Sequence, residues 1–295
     1  GQRLRYTRDH MHSLRFKKEQ IYWRIFKRWL FRLFLKGFGF HRTAAFITDE
    51  YGRAWDNSLA RLDGETSSAP ILRELNGDLV LWRRIDGVKF RIRCLSRVIT
   101  DLCLTGGITS VLELGSGNGM NILALAVLHP EIKVWRGIDL TPQGTQAAAA
   151  LLANPPLAYL KFVTGLDEKI VAERLAHRDI QFQLGDMLAL PYADGFFHVA
   201  LTSSSIEQLP RDYPRAFREI RRVTAKYAVF LEAFREVQNT FNRMHLRNVD
   251  YFRSSFLELP NAGFHILKFE PYPISSPYFR LGLLVCSANP VRSSS

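Results

Sequence analysis

The sequence predicts an α/β fold built on a mostly parallel sheet, extended at the N-terminus by helical chain. Three observations carry that expectation. Residues 108–114 are an apolar run leading directly into glycines at 115, 117 and 119 and then into a helical pattern from Met120, so a buried strand, a tight loop and a helix follow one another. A second apolar run with Val134, Trp135 and Ile138 ends in Asp139, and residues 227–234 form a continuous Val, Phe and Leu run after a helical stretch. At 295 residues and 47% hydrophobic composition, the chain is long enough for one full-sized α/β domain plus an appended segment.

Taken in order, residues 14–36 predict a basic, aromatic-rich amphipathic helix. Tyr22, Phe26, Trp29, Leu30, Leu33 and Phe34 recur at helical spacing, opposite Gln20, Arg24, Lys27, Arg28, Arg32 and Lys36. Residues 37–76 are rich in Gly, Thr, Ser and Asp and predict a linker with short pieces of structure. Residues 71–104 predict helices that end before Gly106-Gly107. After the glycine loop, residues 140–160 hold a helix bracketed by turns, with Pro142, Gly144, Pro155 and Pro156 as punctuation. Residues 211–223 are helical, with Phe217 and Ile220 toward the sheet and Arg211, Arg215, Arg218 and Arg222 as an outer stripe. Residues 250–259 read as a helix, and residues 264–269 and 279–287 as a closing antiparallel pair. The domain division that follows is 1–76 for the N-terminal helix and linker, 77–290 for the α/β domain and 291–295 for a tail.

The glycine loop has a specific spacing. Glu113 stands two residues ahead of Gly115-Ser116-Gly117-Asn118-Gly119, whereas a G-x-G-x-x-G dinucleotide pattern would need its third glycine where Met120 stands. Asp139 follows 20 residues after Gly119, then Gln183-Leu-Gly-Asp186-Met187, then Leu190-Pro-Tyr-Ala-Asp-Gly-Phe-Phe-His-Val and onward to Pro210. Together these motifs resemble the class I S-adenosylmethionine-dependent methyltransferases, in particular the ubiquinone/menaquinone-type (methyltransferase type 11) branch. The likeness is close over 110–210 and looser to about Ala288. His198 and Gln208 depart from that branch, which usually has Asp and often His there. His198 reads as a structural change; Gln208 cannot act as a base.

The resemblance implies a Rossmann-like sheet of seven mostly parallel strands with helices on both faces, and S-adenosyl-L-methionine as cofactor. Carried over residue by residue, it gives Gly115, Ser116, Gly117 and Gly119 to the methionine part and Glu113 to its ammonium group. Asp139 with Leu140 would hold the ribose, Asp186 and Met187 the adenine, and Ser203 would flank the crevice. Glu207 and His245 border the acceptor side and are the candidates for a general base, which is needed only if the acceptor carries its proton into the transition state.

Charge and cysteine usage bound the partners. The net charge is +12, and residues 1–36 hold eleven Lys or Arg against Asp9 and Glu19, so the basicity belongs to the N-terminal arm. Cys94, Cys103 and Cys286 lack CxxC spacing and an even count, which predicts a reducing, cytoplasmic setting. The eight histidines show no metal-ligand spacing, so no metal site is expected. No run is long and apolar enough for a bilayer span. The basic aromatic arm suits either an anionic membrane surface at residues 14–36, on the inner face of a membrane, or packing as a lid or subunit contact. The leading expectation is a methyltransferase for a small-molecule, lipid or lipid-linked sugar acceptor. An RNA methyltransferase is the second reading, disfavoured by the lack of an RNA-binding module, and a non-catalytic scaffold of the same fold is the third.

Overall fold

The computed structural model describes residues 8–34, 42–56, 62, 69–75 and 78–290. In chain order its elements are α1 (Arg8–Phe34), α2 (Ala44–Asp56), β1 (Pro70–Leu75), β2 (Asp78–Arg83) and α3 (Arg84–Gly106). Then come β3 (Ser110–Leu114), α4 (Met120–Leu128), β4 (Val134–Asp139), α5 (Pro142–Ala153), α6 (Leu157–Thr164), α7 (Glu168–Ala176) and β5 (Asp179–Leu184). The chain continues through β6 (Phe197–Ser203), α8 (Tyr213–Val223), β7 (Thr224–Glu232), α9 (Thr240–Asn248), β8 (His265–Pro271), β9 (Ile274–Ser275) and β10 (Gly282–Ser287).

Seven strands form the main sheet in the order β5-β4-β3-β6-β7-β10-β8. Neighbours from β5 to β7 are parallel, and β10 runs antiparallel to both β7 and β8. All five residues of β3 are buried, which is why this strand reads as an unbroken apolar run. Side chains alternate between two cores: Val111, Val199, Val229 and Val285 face one, and Leu112, Leu114, Ala200, Phe230 and Leu284 face the other. Helix α4 belongs to the first core. It carries no charged residue, and seven of its residues are buried, as expected of a helix that is apolar on nearly every side.

Three stretches differ from the sequence expectation. Residues 70–83 are a hairpin, not a helix: β1 pairs with β2 from Pro70↔Arg83 to Leu75↔Asp78, and β9 extends it to a second sheet in the order β2-β1-β9. The 76/77 boundary therefore falls in sequence between the two paired strands, outside the described residues. Within the expected linker stands the 13-residue helix α2, which lies against α5. Finally, residues 250–259 hold no α-helix; a 3-10 helix covers Phe256–Ala262 with Pro260 inside it, where a missing N–H disfavours longer helical pairing.

Helix α1 packs on its own chain. Ile21 and Ile25 are buried with Leu79, Tyr22 stacks on Phe241 of α9 at 4.3 Å and 5°, and Asn248 Nδ2 donates to the Ile25 carbonyl at 3.1 Å. Its apolar residues do not share one face, because Trp23, Leu30 and Phe31 remain exposed.

Candidate functional site

The sheet order reverses between β3 and β6: the chain moves from β3 outward to β4 and β5, then returns to β6 and continues the other way. Their connections leave on opposite sides, and ligands in open α/β sheets bind at the carboxyl ends of such strands. A cavity of about 300 Å³ lies there.

The glycine loop shapes one wall. Gly115 has φ 71° and Gly117 φ 52°, a left-handed backbone that favours glycine. A Cβ on Gly115 would stand 2.4 Å from Ser205 Cβ, and one on Gly117 would stand 2.3 Å from the Trp55 ring. The loop is thus pressed between the segment after β6 and helix α2. Asp139 at the end of β4 ties it down: Oδ2 accepts from the Gly117 amide at 2.7 Å, and Oδ1 from the Thr141 amide at 2.9 Å and Thr141 Oγ1 at 2.5 Å.

Of the residues expected from sequence, Gly115, Ser116, Asp139, Leu140, Asp186, Met187, Ser203 and Glu207 all line this cavity. Gly117 and Gly119 lie in the loop behind its wall. Glu113 does not itself line the cavity; it stands on β3 with Oε1 accepting from Asn121 Nδ2 at 2.6 Å, and its Oε2 is buried without a partner. Burial pushes its carboxyl up to about 7, against the Asn121 hydrogen bond and the nearby Arg91 charge. His245 is not brought to the cavity. It lies on α9 against Tyr278, with ring centroids 5.0 Å apart, and burial together with Arg28 lowers its pKa to about 4.

Glu207 sits in the 3-10 helix Ile206–Gln208, fully inside the protein. Burial and the neighbouring Glu232 carboxylate hold its pKa well above the carboxylate range, opposed by Arg42 and by hydrogen bonds from Gln208 and Tyr51. Glu232, at the end of β7, is pushed up to about 7 by burial although the Ser205 and Ile206 amides donate to it. Gln208 Nε2 in turn donates to Tyr51 Oη. This end of the cavity therefore holds a buried, proton-rich cluster capped by α2.

Helix α2 and Asn121 are what sequence reasoning missed. Ile47, Tyr51 and Trp55 all line the cavity, and their i, i+4, i+8 spacing was a visible helical signal. Asn121 was also visible, as the one polar side chain in the otherwise apolar helix α4. His198 has a structural role: its Nδ1 accepts from the Thr109 amide at 3.1 Å, fixing β6 beside the start of β3. Among the described residues Cys103, His129 and Glu131 bring ligand-type atoms within 4.8 Å. They already bond one another, His129 Nδ1 lying 3.0 Å from Glu131 Oε1, and none of them lines the cavity.

Comparison with known proteins agrees with this geometry. Residues 112–231 match the family model for the methyltransferase domain. The chain carries a class I S-adenosylmethionine-dependent methyltransferase domain, and S-adenosylmethionine is the cofactor of that class. No curated protein sequence matches the chain. Similar solved structures include the (4+2)-cyclase SpnF, at 18% identity and TM-score 0.56 over 83% of this chain and 96% of that one. Magnesium protoporphyrin IX methyltransferase from Synechocystis PCC 6803 with bound SAH is 13% identical, with TM-score 0.54 over 83% and 99%. Geranyl diphosphate methyltransferase in complex with GPP and sinefungin is also 13% identical, with TM-score 0.52 over 82% and 99%. At these identities the likeness is one of fold, and a fold hosts more than one chemistry.

Proposed function

We propose that this chain is an S-adenosylmethionine-dependent methyltransferase that methylates a small-molecule or lipid-type acceptor by in-line displacement at a membrane surface. The observation that carries the activity is one cavity joining the glycine-loop wall to the proton-rich cluster of Glu207, Tyr51 and Gln208. Buried orphan atoms suit the donor: Asn121 Oδ1 and Gln208 Oε1 in the cavity wall, and Glu113 Oε2 behind Asn121, are all acceptors without partners, matching the ammonium and hydroxyl donors of S-adenosylmethionine.

In this reading Glu113 and Asn121 hold the ammonium end, and Met187 covers the adenine beside Asp186. Asp139 already spends three of about four acceptor positions on Gly117 and Thr141, so it offers one to the ribose. The sulfonium supplies an already activated methyl group, so alignment and exclusion of water provide most of the rate. Helix α2 excludes water with Ile47, Tyr51 and Trp55. Glu207, whose carboxyl is held above the usual carboxylate range by burial and by Glu232, is the group that takes the acceptor's proton where the acceptor carries one into the transition state. His245, unprotonated and outside the cavity, has no such role.

The membrane part of the proposal is supported by α1. Trp23, Leu30 and Phe31 are exposed on a stripe with Lys27, whose Nζ lies 5.0 Å from the Trp23 ring; Arg24 and Arg28 are exposed beside it. Aromatic side chains entering the headgroup boundary with cations against anionic lipid are the ingredients of interfacial binding. No helix among the described residues is long and apolar enough to cross a membrane. The test is methyl transfer from labelled S-adenosylmethionine to a lipid extract presented as vesicles. Label in the lipid or small-molecule fraction, reduced at least tenfold in Glu207→Gln with donor binding kept, is expected. Label in RNA instead, or no transfer by a protein that binds the donor, contradicts the proposal.

A further inference from the structure

Other arginines that are at least half-buried use their guanidinium groups: Arg42 meets Glu50, Arg136 meets Asp179, Arg222 meets Glu219 and Arg280 meets Glu74, while Arg174, Arg178 and Arg221 donate to backbone carbonyls. Arg73, Arg84 and Arg91 are different. All three are half-buried, no carboxylate pairs with any of them among the described residues, and the Nε atoms of Arg84 and Arg91 are buried with no hydrogen-bond partner.

The fold gathers them. Arg84 and Arg91 are seven residues apart on α3 and so share one of its faces. The Arg84 amide donates to the Ala69 carbonyl at 3.2 Å, which sets the start of α3 beside the start of β1, the strand that carries Arg73. Burial lowers the Arg73 pKa, and the charges of Arg84 and Arg91 lower it further. Tyr159 lies within electrostatic reach of Arg84 and Arg91, and Tyr272 within that of Arg73 and Arg91. Arg91 also forms part of the cavity wall, whereas Arg73 and Arg84 do not line the cavity and stand beyond Arg91 on α3 and β1.

Three like charges held near one another and partly shielded from water are unfavourable unless a ligand brings the opposite charge. The guanidinium fork matches phosphate oxygens bidentately. The carboxylate of the methyl donor offers one negative charge and can meet Arg91 alone, which leaves two guanidinium groups for a more highly charged anion. We propose that Arg73 and Arg84, beside Arg91, form an anion subsite that takes a phosphate or diphosphate group of the methyl acceptor. This rests on the methyltransferase reading and names the acceptor's chemical class.

The test is calorimetric titration of the full chain with inorganic pyrophosphate, phosphate and acetate, each with and without saturating S-adenosylhomocysteine. One pyrophosphate site at least tenfold tighter than acetate is expected. Arg73→Gln and Arg84→Gln should each weaken it at least tenfold, Arg84→Lys should weaken it less, and S-adenosylhomocysteine affinity should stay within twofold. Because each Gln variant removes like-charge repulsion, its melting temperature should equal or exceed that of the parent, which a purely structural arginine would not allow. Absence of pyrophosphate binding by protein that binds S-adenosylhomocysteine overturns the subsite and leaves the methyltransferase reading standing. A tenfold loss of S-adenosylhomocysteine affinity in Arg73→Gln or Arg84→Gln also overturns it, by giving the cluster to the donor's carboxylate. Failure to bind S-adenosylhomocysteine removes the reading on which the subsite rests, and the acceptor assignment with it.

Discussion

Gly117 is where backbone strain and packing coincide. With φ at 52° and the Trp55 ring 2.3 Å from where a Cβ would stand, Gly117→Ala should cost about 1–3 kcal/mol of stability and weaken donor binding at least tenfold. Paired melting curves and calorimetry check this, and unchanged values in both would contradict the packing described. Titration supplies a second residue-scale prediction. Glu232 binds its proton more tightly in the folded protein, at about 7, than in the unfolded chain, near 4.5. The stability attached to that carboxyl is therefore fully present below about 4.5 and is lost as pH rises through about 7, on the order of 3 kcal/mol. His245, lowered to about 4 by burial, works in the opposite sense over much of that window. The readout is accordingly a difference: Glu232→Gln should gain melting temperature relative to the parent between pH 5 and pH 8, and a constant difference would contradict it.

At the scale of elements, α1 divides its residues between two tasks. Ile21 and Ile25 are buried and Tyr22 stacks on Phe241, each isoleucine being worth roughly 1.5–3 kcal/mol. Trp23 and Phe31 face outward. Ile25→Ala should thus lower the melting temperature, while Trp23→Ala with Phe31→Ala should leave it unchanged and abolish flotation with anionic vesicles. Flotation that survives the double variant would remove the membrane role of this helix. The elements most legible in the sequence were those with one strong periodicity: the strand, glycine loop and helix of β3 and α4, and the buried run of β7. Leu79, Leu81 and Trp82 by themselves suggest a helix, whereas Asn76-Gly77, between the paired Leu75 and Asp78 in sequence, is the strongest short-range hairpin signal. Helix α2 was obscured by the Gly, Ser and Asp around it, although Ile47, Tyr51 and Trp55 kept helical spacing. The donor side of the cavity could be located from its glycines and carboxylates. The acceptor side could not, because Tyr51, Glu207 and Gln208 meet there only through long-range packing.

For the whole molecule, the charge map and the cavity belong together. Most of the +12 lies in residues 1–36, and β1 and α3 add arginines that have no carboxylate partner among the described residues, so the proposed anionic acceptor and anionic surface would meet a field of one sign. All of this depends on the cavity being a methyl-donor site. Titration of the purified chain with S-adenosylmethionine, beside an Asp139→Ala variant, tests that most directly. Saturable binding by the parent and at least a tenfold loss in the variant, about 1.4 kcal/mol, is the predicted result. A folded parent protein that does not bind S-adenosylmethionine, or an Asp139→Ala variant that binds it equally well, would contradict it.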